Sequence, residues 1–139
     1  MAPGLGGLIR LHDWEVDEKR RELADKLRAA ELLEARLRAL EAEAEAEARI
    51  AAASPETALF YGRYVVTVRR RRNELTQALT VAETEIATAR EAVREAFLQF
   101  KKYQTAEEQR AKREALEQGR REQGVLDEVA LNTYRQKKR

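Results

Sequence analysis

Two apolar rows at helical spacing constrain this chain more than any other feature. The first steps by seven from Ile9 through Val16, Leu23, Ala30, Leu37, Ala44 and Ala51, the spacing that keeps one face of a helix against a partner. The second alternates by three and four through Tyr61, Val65, Val68, Arg72, Leu75, Leu79, Ala82, Ile86, Ala89, Val93, Ala96, Phe100 and Tyr103, with Arg72 its one polar member. Beyond Tyr103 the same spacing lands on Glu107, Arg110 and Glu114, so the apolar row stops there. Companion positions of the first row are weaker at the N-terminal end, where His12, Lys19 and Leu27 precede Leu33 and Leu40.

Between the rows lies AAASPETALFYGRYVV, residues 51–66, which holds the sole serine and three of the seven Phe and Tyr residues. Ser54 is a favoured N-cap, Pro55 suits a first helical position because its missing N–H has no partner there anyway, and Glu56 complements the helix dipole. A chain reversing at Ser54 sets residue x opposite residue number about 109 minus x. That rule places Ile9 by Phe100, Val16 by Val93, Leu23 by Ile86, Ala30 by Leu79 and Ala44 by Val65, so the two rows meet. Parallel in-register dimerisation is the second reading; the short turn and unequal lengths favour a pair within one chain.

The expected fold is therefore all-α, a long antiparallel two-helix coiled-coil hairpin with a protruding C-terminal helix. As a single coiled-coil domain it has a flexible end over 1–7, helix 1 over 8–53, a turn at 54–55, the paired part of helix 2 over 56–103 and a basic overhang over 104–139. Composition agrees: 37% charged and 6% aromatic residues leave little to fill a globular core, while Gly and Pro together number eight among 139 residues.

The same composition narrows the chemistry. Without cysteine there is no disulfide framework, thiolate metal site or cysteine nucleophile. A serine nucleophile with a histidine base would need Ser54 and His12, one of each in the chain, and the hairpin separates them by roughly 60 Å. Glu41, Glu43, Glu45 and Glu47 read as a solvated acidic face, since side chains two apart do not share a helix face. The GLGG of residues 4–7 lacks the Lys-Ser/Thr ending of a phosphate loop. No enzymatic activity, cofactor or metal is expected. No secretory signal opens the chain and no stretch nears the roughly 18 apolar residues of a membrane span, so a cytoplasmic protein is expected.

Charge is nearly balanced at +2, so its distribution matters more. The run Arg69–Arg72 falls near Glu41 and Glu43 in the hairpin and reads as local charge pairing. Residues 110–139 hold nine Lys or Arg against five Asp or Glu, a plausible docking surface for an acidic protein cavity or a solvated face. Off-seam apolar residues, Phe60 and Tyr64 by the turn, Leu11 and Trp14 near the root, Val125, Leu126, Val129 and Tyr134 at the far end, either pack under a folded-back tail or meet a partner.

LIRLHDWEVDEKRRELA near the start, the midpoint turn followed by FYGRYVV, and LDEVA close to the basic terminus together resemble the FliJ family of the flagellar type III export apparatus, which has counterparts in injectisomes. The resemblance implies an antiparallel coiled coil similar to the stalk of rotary ATP synthases. It implies that the open end inserts into a hexameric export ATPase ring, that the arm engages the cytoplasmic domain of the export gate, and that export chaperones are bound. Location at the cytoplasmic face of the inner membrane, at the flagellar base, follows from it. The gate-contacting surface would fall on Leu40, Tyr61, Tyr64 and Val68; the ring contact is expected on Arg110, Arg113, Arg120, Arg121, Leu126 and Val129. A passive coiled-coil spacer or chaperone, and a helical-hairpin nucleic-acid binder, are the alternatives from other classes; nucleic acid is not expected as a partner.

Overall fold

The computed structural model describes residues 4–138. Two helices account for nearly all of them, α1 over Gly6–Ala53 and α2 over Pro55–Lys137, and they pack against each other as an all-α hairpin. Both are rich in Ala, Glu and Arg, which are good helix formers. Residues 1–3 of the expected flexible end lie outside the described residues, while Gly6 and Gly7 already belong to α1. The turn is shorter than 54–55, because Pro55 is the first residue of α2.

Ser54 alone separates the helices, and its carbonyl accepts the first bond of α2 from the Ala58 N–H at 3.2 Å. Thr57 ties the two ends together: its hydroxyl lies 3.2 Å from the Ile50 carbonyl and 2.9 Å from that of Ser54. The Ile50 carbonyl belongs to the last turn of α1, where no intrahelical amide is left to reach it.

The chain divides into two compact units. In the first, Glu15–Ala96, the seam is built from small and β-branched side chains. Val16, Ala30, Leu40, Val68, Ala82 and Ile86 are buried, with Leu23 and Leu33 packed on the Ala30, Ala82 and Ile86 cluster. Every member of both apolar rows within this unit is buried or half-buried, including Arg72. Arg72 stays charged at the seam edge by donating to both carboxylate oxygens of Glu41, one of them at 3.0 Å. Lys26 pairs with Glu85 at 3.2 Å.

These cross-helix pairs measure the register. A fold about Ser54 sets Lys26 opposite Glu83 and Glu41 opposite Val68, whereas the observed partners lie two and four residues further along α2. Helix axes in contact lie about 8–10 Å apart, and the first turn of α2 is used in crossing that gap. Leu59 and Phe60 of this turn are accordingly exposed, at 82% and 73%.

A second line of bonds runs along α2 itself. The hydroxyls of Thr76, Thr80, Thr84 and Thr88 each donate to the carbonyl four residues back, at 2.8 to 3.2 Å.

The second unit comprises Met1–Trp14 and Phe97–Arg139. His12 stacks on Tyr103 with ring centroids 4.6 Å apart and planes at 14°. Pairing goes beyond Tyr103, where the overhang was expected to begin. Glu107 accepts from the Leu5 N–H at 3.1 Å, and Arg110 donates to the two oxygens of Glu107 at 3.0 and 2.8 Å and to Glu114 at 2.8 Å. A carboxylate from α2 thus caps the start of α1, a place where unpaired amides and the positive dipole end favour an anion. From residue 111 to 138 every side chain is exposed. No fold-back occurs, since α2 runs unbroken to Lys137.

Candidate functional site

With no chemistry expected of the chain, the candidate sites are surfaces, and the two expected from the sequence fall in different units. Beside the turn, Tyr61 and Tyr64 stand one helical turn apart with ring centroids at 6.1 Å. Both are half-buried. Leu40 and Val68, expected on the same contact surface, are only 6% and 5% exposed. They are seam residues that hold α1 to α2, so in the intact hairpin they support such a surface from beneath.

Tyr61 and Tyr64 line two cavities. One of about 170 Å³ is lined by Glu47, Ile50, Ala51, Thr57, Phe60, Tyr61 and Tyr64; another of about 110 Å³ lies between Ala44, Tyr61, Tyr64, Val65, Val68, Arg69 and Arg72. The Tyr64 hydroxyl is shut off from solvent and makes no hydrogen bond among the described residues. Burial pushes its pKa up, and the carboxylates of Glu43 and Glu47 add to the rise while Arg71 opposes it. Leu59, Phe60 and Val66 leave large apolar areas exposed around this tip.

Further along the same unit a wider groove of about 510 Å³ runs over Arg36, Ala39, Leu40, Glu43, Arg71, Glu74, Leu75 and Ala78. Alanines in its floor leave the gap and four charged side chains rim it. Of its lining residues only Leu40 and Leu75 belong to the apolar rows, and nothing in the sequence sets the others apart as a site. The acidic row is partly consumed by pairing, with Glu41 on Arg72 and Glu45 on Arg49. Glu41 is held below its ordinary pKa by the Arg72 hydrogen bonds. Of the arginine run, Arg72 makes the expected cross-helix pair and Arg70 lies 3.9 Å from Glu74.

The six residues expected to contact a ring all lie in the second unit, but not in one environment. Arg110 is half-buried and committed to Glu107 and Glu114. Its hydrogen bonds, with that from the Leu5 amide, hold the Glu107 carboxyl down at about 2. Arg113, Arg120 and Arg121 are exposed and form no ion pair among the described residues. Glu108 and Lys112, like Glu117 and Arg121, stand at i, i+4 on this helix yet form no ion pair among the described residues; exposed pairs of this kind are worth only about 0.3–0.5 kcal/mol, too little to fix long side chains. Leu126 and Val129, one turn apart, are 63% and 55% exposed. Glu107 and Leu5 were missed as partners. Their signal was a seam-spaced position filled by a charge, which a search for apolar residues discards.

Among the described residues no three acidic or histidine side chains converge to hold a metal, and no helix is long and apolar enough to cross a membrane. The family model described as Flagellar FliJ protein matches residues 1–139. A Flagellar FliJ protein of Caulobacter vibrioides strain NA1000 / CB15N is 31% identical over 131 residues, covering 94% of each chain. The protein of that name from strain ATCC 19089 / CIP 103742 / CB 15 gives the same figures. No solved structure matches the chain.

Proposed function

This chain belongs to the flagellar FliJ family, and from that premise we propose that it is a non-enzymatic component of the flagellar type III export apparatus, acting as the stalk of the export ATPase ring. In this reading the end of the hairpin that carries both termini enters the hexameric ring, the tip at Tyr61 and Tyr64 meets the cytoplasmic domain of the export gate, and export chaperones are engaged along the way. The protein works at the cytoplasmic face of the inner membrane, peripheral to the membrane-embedded machinery.

The observation that carries the proposal is the bare helix of residues 111–137. A helix within a protein gains most of its stability from packing an apolar face, yet this segment packs on nothing among the described residues and displays Leu116, Val125, Leu126, Val129, Leu131 and Tyr134. Four arginines on it, Arg113, Arg120, Arg121 and Arg135, form no ion pair among the described residues. Such a helix is suited to be gripped by a ring of loops, where a few arginine contacts dominate the binding energy. Arg110 is not among the gripping residues, being held within the hairpin root.

The test is charge reversal in the full chain. Arg113→Glu, Arg120→Glu and Arg121→Glu together are expected to abolish stimulation of the ATPase and of ring assembly while helicity is retained. A chain ending at Glu114, which keeps the Glu107 and Arg110 bonds, should behave likewise. Full stimulation by either variant refutes tail insertion. Retention on RNA or DNA that is lost with salt and with nuclease would favour the nucleic-acid reading instead.

A further inference from the structure

The tip of the hairpin is where the structure says most about a ligand. We propose that the cavity of about 170 Å³ between Glu47, Ile50, Phe60, Tyr61 and Tyr64 is a receptor for a single arginine side chain presented by a partner protein. The inference deepens the reading of the tip as a partner surface and rests on it for the partner's being a protein.

Four independent features of the cavity select a cation. Its walls are aromatic: Phe60, Tyr61 and Tyr64 line it, and ring faces attract a guanidinium, most strongly where water is partly excluded. It contains one carboxylate, Glu47, which makes no ion pair among the described residues. Ile50 and Ala51 are in the last turns of α1, whose carbonyl end carries partial negative charge, and the last turn of α1 supplies no basic side chain to offset it. The opposing positive end of α2 is already met by Glu56 in its first turn.

The fourth feature is the orphaned Tyr64 hydroxyl. Leaving a buried hydroxyl without a partner is costly, and Tyr64 already lines the cavity, so a small change at its χ1 lets the oxygen accept from an N–H donor held there. Size agrees as well, since an engineered cavity of about 150 Å³ accommodates a benzene ring and a guanidinium is smaller. Arginine fits better than lysine because a planar, delocalised cation stacks on the rings while its edge donors reach Glu47 and Tyr64. An aliphatic side chain would leave the carboxylate and the hydroxyl without partners. The neighbouring Glu43, which also acts on Tyr64, strengthens the field in the same sense, and Arg71 opposes it more weakly than the two carboxylates.

The experiment titrates the full chain, with ring protons of its tyrosines observed by NMR, against a capped Gly-Arg-Gly peptide and its citrulline, lysine and leucine counterparts. Citrulline has the shape of arginine without its charge. The arginine peptide is expected to shift Tyr61 and Tyr64, with lysine weaker and citrulline and leucine at least tenfold weaker still. Glu47→Gln should weaken the arginine response about five- to tenfold and Tyr64→Phe about threefold, while Glu34→Gln, away from the cavity, leaves it unchanged. Equal responses to arginine and citrulline, a preference for leucine, or no response at all would overturn the proposal. Binding of the export-gate domain is measured separately: loss on Tyr64→Ala with no arginine response keeps the tip as a gate contact and removes only the arginine receptor.

Discussion

Ile86→Ala probes the seam where it is best packed. Ile86 is 9% exposed and clusters with Ala30 and Ala82, with Leu23 and Leu33 against them. The substitution removes three carbons, which at about 0.8 kcal/mol per buried methylene amounts to about 2.4 kcal/mol of lost transfer energy. Globular cores add a cavity term that brings Ile→Ala to as much as about 5 kcal/mol. Here only one layer of side chains separates the cluster from solvent, so water fills the space and the cavity term is small. A loss of about 2 kcal/mol is expected. For a chain of this size that lowers the melting temperature by about 7 °C, read by far-UV circular dichroism at the helix minimum. Leu32→Ala supplies the contrast, because Leu32 is 54% exposed and its truncation should cost below about 0.5 kcal/mol. Equal shifts for the two variants, or a shift under about 2 °C for Ile86→Ala with normal helicity, would show that the seam does not hold the helices together.

Glu107 gives a pH prediction. Its carboxyl is held down at about 2 from an ordinary 4.5, so its contribution is fully present above about pH 4.5 and is lost as pH falls toward 2. Protection of the Leu5 amide, taken relative to the intrinsic exchange rate at each pH, should hold down to about pH 4 and fall below it, and Glu107→Gln should show the lowered protection at all pH values; indifference to both would remove Glu107 as the cap of α1. A double-mutant cycle on Glu41→Gln and Arg72→Gln should return only a small coupling, since both side chains are more than two-fifths exposed. A large coupling would mean the pair is desolvated in solution.

The helical periodicity carried the hairpin because it is a geometric signal, repeated thirteen times in α2, and no single residue decides it. All thirteen of those positions are at least half-buried. Register was less legible. It depends on how many residues the crossing uses after Ser54, and a seam with alanine at Ala30, Ala44, Ala82, Ala89 and Ala96 discriminates weakly between neighbouring alignments. The root was illegible for another reason: Glu107 and Arg110 act through hydrogen bonds to one another and to the Leu5 backbone, and backbone partners leave no side-chain pattern to find. At the tip, the aromatic cluster was visible in FYGRYVV, and the burial of Leu40 and Val68 was already implied by their places in the apolar rows, against the contact role the resemblance gave them. The carbonyl bonds of the threonine ladder likewise depend on rotamers that spacing alone does not set.

That ladder has a mechanical consequence. Each carbonyl at residues 72, 76, 80 and 84 accepts a hydroxyl in addition to its helical amide, and a carbonyl shared in this way tilts outward and lets its turn lengthen. Four such turns in succession make one flank of α2 softer in extension than the other. Under a sideways load the middle of α2 yields as a distributed spring over about four turns, giving way toward a set direction without a single point of fracture.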